Sequence, residues 1–397
     1  MNTKNRFFRR LLELPVLVLV LLKAGLHPAL AAEPVHIGFD SSYGVKTSTA
    51  DQSIEWGVRA AMEEINAAGG VLGGRPLRLL IRDNQALPAR AKDNVAELAL
   101  TPGIIGILGG KYSPAVLESF SQPGLNVPLI SVWGSADAIT DNAPASSYIF
   151  RLSLKDSWGV RALMDRAARR YKAQRVCAVL PNTAWGRSGD AVLKASQKSG
   201  VTVVFTGWYN LGESNFSPML ASCQASGGQA LILVANEKEA AVLFRNMAQL
   251  PAAQRLPLVC HWGMAGGVMH ELAADALDQV GHQVIQTFTF IDNKRPAAQR
   301  LGRWIMKAGS FSSLAQIPSP VGAAHAYDMT HLLALAVNKA GTTEGAKVRT
   351  ALENLPTFQG AVRTYAPAFS AKDHEALGPE QVLFVKFERS GALTPQK

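Results

Sequence analysis

The sequence predicts an α/β protein with two doubly wound parallel-sheet lobes. Short apolar stretches alternate with amphipathic stretches of roughly 10–15 residues, which is the pattern of repeated strand–helix–strand units. The apolar stretches are nearly continuous, as expected for strands covered on both faces. The alternation runs through two successive blocks, 33–150 and 151–287, and no linker rich in Pro, Gly or Ser separates them. We therefore expect two similar lobes joined by short crossings.

This alternation assigns an element to most of the chain. In the first block we predict strands at 35–39, 77–82, 104–108 and 128–132 and helices at 52–68, 89–100 and 114–121. In the second block we predict helices at 156–171, 186–199, 215–225 and 237–249 and strands at 176–180, 201–205, 230–234 and 257–260. The tail adds helices at 320–340 and 345–353 and a strand at 382–387. Because parallel sheets bind ligands beyond the carboxyl ends of their strands, two facing sheets predict a small-molecule site in the loops between the lobes.

The N-terminus has the three parts of a secretory signal peptide. Residues 1–10 carry four Lys or Arg side chains, an apolar run covers 11–22, and Ala29-Leu30-Ala31 matches an A-x-A cleavage site. The apolar run has about 12 residues, whereas a membrane span needs roughly 20. We therefore expect residues 1–32 to be removed on export.

Charge argues against a nucleic-acid partner. The formal charge of the chain is +10, and it falls to +6 on removal of residues 1–32, which contain five basic residues and one acidic residue. The remaining excess forms no Lys/Arg clusters with interleaved aromatics, so it is a poor match to a nucleic-acid-binding surface.

Three cysteines, Cys177, Cys223 and Cys260, form an odd set with no metal-ligand spacing. Cys177 and Cys260 fall in apolar strands, which favours buried, unpaired thiols. One disulfide stays open as an alternative.

No catalytic or metal motif is complete. The stretch 186–190 lacks the final Gly of G-x-S-x-G, and the Gly-Gly-Lys at 109–111 lacks the flanking residues of a phosphate-binding loop. His261, His270 and His282 do not have metal-ligand spacing. We expect no enzyme activity, no metal and no cofactor.

Five segments carry recognisable motifs: 37–85, 103–113, 126–136, 182–189 and 324–334. The most specific is a helix that ends I-N-A-A-G-G and is followed by G-G-R-P-L. These segments resemble the periplasmic leucine/isoleucine/valine-binding protein family, the type I solute-binding proteins of ABC transporters. The resemblance implies a type I periplasmic binding protein fold with a three-strand hinge, a periplasmic location and delivery of the ligand to an inner-membrane ABC permease. It assigns 33–150 plus 288–355 to lobe 1 and 151–287 plus 356–397 to lobe 2.

The resemblance also implies a set of ligand-binding residues. Two loops of lobe 1 would hold a ligand carboxylate, and lobe 2 would place an aromatic side chain over the ligand and grip its ammonium group. The two carboxylate-binding loops are Lys111, Tyr112 and Ser113 and, after the next strand, Trp133, Gly134 and Ser135. The aromatic side chain over the ligand is Trp185, and the residues that grip the ammonium group are Asn236 and Trp262.

Trp262 departs from the family pattern, which commonly has an acidic residue at this position. An indole donates a hydrogen bond and accepts none, so the compensating charge for an ammonium would have to come from Asp40 or Glu237. Trp133, Trp185 and Trp262 instead favour an aromatic or otherwise flat, apolar ligand, and we expect the Lys111 ammonium to pair with a carboxylate on it.

The predicted function is therefore solute binding for an uptake system, by a monomer that closes its lobes on an amino-acid-like, aromatic or carboxylated small molecule. The alternative is an exported sensing module that feeds a membrane receptor or kinase. A third class, an exported hydrolase, would need a nucleophile that the sequence does not reveal.

Overall fold

Five parallel strands form the first sheet of the computed structural model, which describes residues 32–144, 146–196 and 200–396. The strands are β1 (Val35–Ser41), β2 (Leu77–Asp83), β3 (Ile104–Gly109), β4 (Leu129–Ser131) and β5 (Ile149–Arg151), in the order β2-β1-β3-β4-β5. The helices between them are α1 (Ala50–Ala67), α2 (Pro88–Ala99), α3 (Ser113–Phe120) and α4 (Ala138–Asp141). All residues of β3 are buried, as expected for a central strand covered on both faces. The predicted signal peptide lies outside the described residues except for Ala32.

The second sheet continues the strand–helix alternation. Its first five strands are β6 (Arg175–Pro181), β7 (Thr202–Tyr209), β8 (Ala230–Leu233), β9 (Leu258–Cys260) and β10 (His282–Gln286). The accompanying helices are α5 (Asp156–Tyr171), α6 (Ala184–Ser196), α7 (Ser217–Ala225), α8 (Glu237–Ala248), α9 (Met269–Ala273) and α10 (Ala276–Gln279). These strands are parallel, so the predicted α/β class with two doubly wound sheets is confirmed.

The C-terminal part of the chain serves both sheets. Helices α11 (Pro296–Ala308), α12 (Pro320–Ala340) and α13 (Gly345–Leu352) pack on the first sheet or its helices, and a small hairpin, β11 (Phe358–Gln359) and β12 (Thr364–Tyr365), follows. Strands β13 (Leu383–Phe387) and β14 (Leu393–Gln396) then extend the second sheet, in the order β14-β13-β10-β9-β8-β6-β7. The chain therefore crosses between the sheets three times. None of the described helices is both long and apolar enough to cross a membrane.

Helix α12 packs closely against α1. A Cβ added at Gly57 would lie 2.1 Å from the carbonyl oxygen of Ala323, so only glycine allows this approach. The contact fixes α12 on the first lobe, although α12 follows the second block in sequence.

The segment before β13 contacts the first lobe. The carboxylate of Asp328 on α12 accepts a hydrogen bond from the Tyr365 hydroxyl at 2.9 Å, and the Ala376 amide donates to the carbonyl of Arg151 on β5 at 2.9 Å. On these contacts we propose a lobe boundary near residue 378, later in the chain than the predicted position at 355.

The cysteines correct one expectation. Cys177 on β6 is buried as expected, but it is bonded to Cys223 on α7, with the two Cα atoms 5.8 Å apart. Cys260 is a buried free thiol. The pairing depends on how α7 packs against the sheet, which the spacing of the cysteines in the sequence does not reveal.

Candidate functional site

A cleft lies between the two lobes at the carboxyl ends of their strands. Its described lining comprises Lys111, Tyr112, Ser113, Pro114, Trp133 and Ser135 from the first lobe and Thr183, Trp185, Leu211, Asn236, His261, Trp262 and Gly263 from the second. Eight of the nine predicted ligand-binding residues are in this set. Gly134 is not; its carbonyl accepts hydrogen bonds from the hydroxyls of Ser131 and Ser153 and supports the turn from behind.

Each lining residue follows a strand. The loop after β3 supplies Lys111 and Tyr112, and the loop after β4 supplies Trp133. In the second lobe Trp185 lies in the first turn of α6, and Trp262 follows β9. Parallel strands end at the same edge of a sheet, so these loops converge.

The cleft is narrow. The centre of a water-sized sphere can occupy only about 20 Å³ between its lining side chains, which is room for little more than one water molecule. The two sides of the cleft therefore lie close together in this structure.

Three tryptophans form most of the apolar wall. Trp133 and Trp262 are each 2% exposed and Trp185 is 8% exposed. A Cβ at Gly266 of the second lobe would lie 2.9 Å from the Trp133 ring, and one at Gly322 of α12 would lie 3.0 Å from it. Glycines on both sides thus hold the Trp133 ring between the lobes.

His261 links the other two indoles. Its ring centroid is 3.8 Å from that of Trp262 and 5.1 Å from that of Trp185. The Trp185 indole Nε1 and the Thr183 hydroxyl are buried without a hydrogen-bond partner among the described residues. Both groups can donate to a ligand.

The hydroxyls of the first lobe are also available as donors. The Ser113 Oγ accepts hydrogen bonds from the backbone amides of Ser135 at 3.1 Å and Ala136 at 3.3 Å, which leaves its own proton free to donate. The amide of Ser135, a predicted ligand-binding residue, thus binds Ser113 in this structure. Burial raises the pKa of the Tyr112 phenol, so this side chain stays a neutral hydroxyl.

A buried acid, Asp156, lies next to His261 on the second-lobe side of the cleft. His261 Nε2 lies 2.9 Å from Asp156 Oδ1, and its Nδ1 accepts a hydrogen bond from the Gly263 amide at 3.1 Å. Because Nδ1 accepts, the proton of the neutral ring is on Nε2, the nitrogen nearest Asp156. Burial raises the pKa of Asp156, which lies at the start of α5.

Lys111 has a protein partner in this structure. Its ammonium pairs with the Glu237 carboxylate across the cleft, and both side chains are 1% exposed. It also donates to the Gly266 carbonyl at 3.1 Å, while Glu237 accepts from the Thr47 hydroxyl at 2.9 Å. Lys111 was expected to be available to a ligand, but a buried ammonium needs a counter-charge, and α8 supplies one.

Beside this ion pair the lobes are joined by backbone hydrogen bonds, which we call the inter-lobe bridge (residues 47–49 and 266–268). The Thr49 amide donates to the Gly266 carbonyl and the Val268 amide donates to the Thr47 carbonyl, both at 3.0 Å. Ser48 and Gly267 pair as in an antiparallel sheet. The bridge sets how closely the walls approach.

Asn236 lies at the N-cap of α8 and lines the cleft, and its side chain makes no capping hydrogen bond. Across residues 32–144, 146–196 and 200–396, no group of three or more His, Cys, Asp or Glu side chains could hold a metal ion. The residues missed by sequence reasoning include Thr183, His261 and Gly263. They flank predicted residues, so proximity to Trp185 and Trp262 in the chain was the available signal.

Comparison with known proteins gives consistent matches. A family model described as periplasmic binding protein matches residues 34–392. A leucine-, isoleucine-, valine-, threonine-, and alanine-binding protein of Pseudomonas aeruginosa is 24% identical over 301 residues, which are 75% of this chain and 76% of that protein.

Solved structures share the fold. The branched-chain amino acid transporter substrate binding protein LivJ from Streptococcus pneumoniae, in complex with isoleucine, has a TM-score of 0.76 and 18% identity, and the match covers 92% of this chain and all of that one. An ABC transporter solute binding protein from R. palustris, in complex with 4-hydroxybenzoate, has a TM-score of 0.75 and 15% identity over 92% of this chain and 96% of that one. At these identities the likeness is one of fold.

Proposed function

The chain belongs to the periplasmic binding protein family, whose members bind solutes and are not enzymes, and from this premise we propose that it captures a small, flat, largely apolar solute for an ABC-type uptake system. The observation that carries the proposal is the cleft between the lobes, where Trp133, Trp185 and Trp262 meet. Aromatic rings stack favourably on such surfaces.

The polar groups of the cleft favour a ligand that accepts hydrogen bonds. The indole N–H of Trp185 and the hydroxyl of Ser113 are donors, and a carboxylate or a carbonyl would satisfy them. The described lining contains no Asp or Glu that could face an ammonium group. Aromatic acids and amides therefore suit this cleft better than α-amino acids. Relatives of the fold have been solved with both classes, isoleucine in one and 4-hydroxybenzoate in another.

The mechanism would be hinge closure. A ligand that touches both lobes stabilises the closed state by its higher affinity for that state, and an inner-membrane permease would recognise the closed form. The three chain crossings would act as the hinge. We further propose that residues 1–32 are a cleaved signal peptide and that the protein acts in the periplasm.

A ligand panel tests the proposal. Purified protein would be heated with leucine, isoleucine, phenylalanine, benzoate, 4-hydroxybenzoate or benzamide. All ligands would be present at one common concentration, so the ligand with the lowest Kd adds most to the free energy of unfolding, about 2.7 kcal/mol at 100 times its Kd. The aromatic acids or amides should therefore raise Tm most. Trp262→Ala should lose the shift, whereas Trp304→Ala, on α11 outside the cleft, should keep it. A larger shift with leucine or isoleucine would contradict an aromatic ligand.

A further inference from the structure

The positive charge in the lining of the cleft is paired with a carboxylate of the protein itself. Among the described lining residues, Lys111 is the one Lys or Arg, and its ammonium is paired with Glu237. A second buried acid, Asp51, lies near the same ammonium: burial raises the pKa of Asp51 to about 6, and the charge of Lys111 lowers it in part. In the second lobe Asp156 adds another buried carboxyl, with Oδ1 2.9 Å from His261 Nε2.

Glu237 is held in place from three directions. Lys111 and the Thr47 hydroxyl bind its two carboxylate oxygens, and its backbone begins α8. A carboxylate in the first turn of a helix is stabilised by the helix dipole. Displacing Glu237 from Lys111 therefore means breaking several favourable interactions at once.

We propose that Glu237 is a specificity-determining residue, which neutralises Lys111 and so selects an uncharged hydrogen-bond acceptor over a carboxylate of the same shape. The inference rests on the proposed function, since it concerns the ligand of the same cleft.

The physical reason is the cost of desolvating a charge. A ligand carboxylate that enters this cleft finds donors at Ser113 and Trp185, but it finds no cation that lacks a counter-charge. Two neutral donors compensate only part of the free energy lost when an anion is desolvated. An amide or ketone makes the same two hydrogen bonds without this penalty.

Benzoate and benzamide are suitable probes because they share a ring and nearly a shape but differ in charge. Calorimetric titration should show that the wild-type protein binds benzamide at least tenfold more tightly than benzoate. In E237Q the Lys111 ammonium loses the carboxylate of its ion pair, and the ratio of the two affinities should move at least tenfold toward benzoate.

The double variant K111M/E237M is the matched control, because it removes both charges and replaces a buried ion pair by apolar side chains, which proteins tolerate well. It should keep the wild-type preference for benzamide. A wild-type preference for benzoate, or an unchanged ratio in E237Q, would overturn the inference and leave the aromatic cleft standing. The wild-type ratio decides the matter even if E237Q does not fold. If none of the three proteins bound either compound, the proposed function would fail together with the inference.

Discussion

At Trp185 the chain buries a hydrogen-bond donor and gives it no partner among the described residues. A Cβ at Gly263 would lie 2.7 Å from the Trp185 ring, so neighbouring backbone holds the indole in place. An unsatisfied buried donor costs about 1–3 kcal/mol, and a position that tolerates this cost is best explained by a ligand that removes it.

Trp185→Phe tests this explanation, since it keeps an aromatic ring and removes the N–H. We expect binding of an aromatic acceptor such as benzamide to weaken about tenfold, the equivalent of one hydrogen bond of about 1.4 kcal/mol, as measured by calorimetry. Trp304→Phe is the matched control, because the Trp304 Nε1 donates to Glu63 on the outer face of the first lobe. Equal affinity in wild type and Trp185→Phe would show that the indole N–H does not bind the ligand.

His325 is a second residue with a measurable role. It is buried on α12, where Nδ1 lies 2.9 Å from the Val132 carbonyl and Nε2 lies 2.8 Å from the Thr287 hydroxyl, at the second crossing. Nδ1 therefore donates and Nε2 accepts, which requires a neutral ring. Burial lowers the pKa of His325 from 6.5 to about 4.

Because the unfolded chain binds this proton more readily than the folded protein, His325 contributes stability above pH 6.5 that is lost as pH falls toward 4. In urea titrations, the advantage of wild type over His325→Gln in the free energy of unfolding should shrink by about 3 kcal/mol between pH 7.5 and pH 4. Comparing the two proteins cancels the opposite effect of Asp40, whose pKa burial raises to about 7. A pH-independent difference would contradict a neutral buried His325.

At the scale of elements, the local sequence pattern was enough to predict a strand where the strand is apolar and a helix where the helix is amphipathic. Helix α5 was predicted at the bounds the structure gives. Strand β10 was missed because His282, Gln283 and Gln286 interrupt its apolar pattern, although all five residues are buried. Helix α11 could have been predicted from Pro296 in its first turn and the apolar spacing that follows.

The candidate site also has one part that the sequence predicts and one part that it does not. The loops that line it were predictable because loops after parallel strands converge, and the resemblance to the family singled out residues within those loops. The contact between Lys111 and Glu237 was not, because it joins residues 126 positions apart and depends on how closely two lobes approach. No local pattern encodes that distance.

A substitution in the inter-lobe bridge can test whether the bridge controls closure of the lobes. At Gly266 a Cβ would lie 2.8 Å from Lys111 Cε and 2.9 Å from the Trp133 ring, so in Gly266→Ala these side chains or the backbone must shift, and we expect the lobes to move apart. We expect at least tenfold weaker ligand binding and a larger radius of gyration in small-angle scattering. Gly281→Ala, where an added Cβ meets nothing within 4 Å, should change neither quantity. Unchanged scattering and affinity in Gly266→Ala would mean that the bridge does not control closure.

At the scale of the whole molecule, one apolar cluster runs through both lobes. It contains Ile107 from the first sheet and Ile232 from the second, and the three cleft tryptophans belong to it. Residues 34–397 form one compact unit. Unfolding one lobe would therefore expose apolar surface of the other, which couples the stability of the two lobes.

We accordingly expect a single cooperative unfolding transition. Tryptophan fluorescence, to which the three cleft tryptophans and the four others contribute, and far-ultraviolet circular dichroism, which reports on both sheets, should follow the same curve in urea. We propose that the ligand touches both lobes, and on that proposal benzamide at 100 times its Kd should move both curves together, by about 2.7 kcal/mol in the free energy of unfolding. Two separate transitions, with the ligand moving one alone, would show that the tryptophan wall is a surface between independent lobes and not part of a shared core.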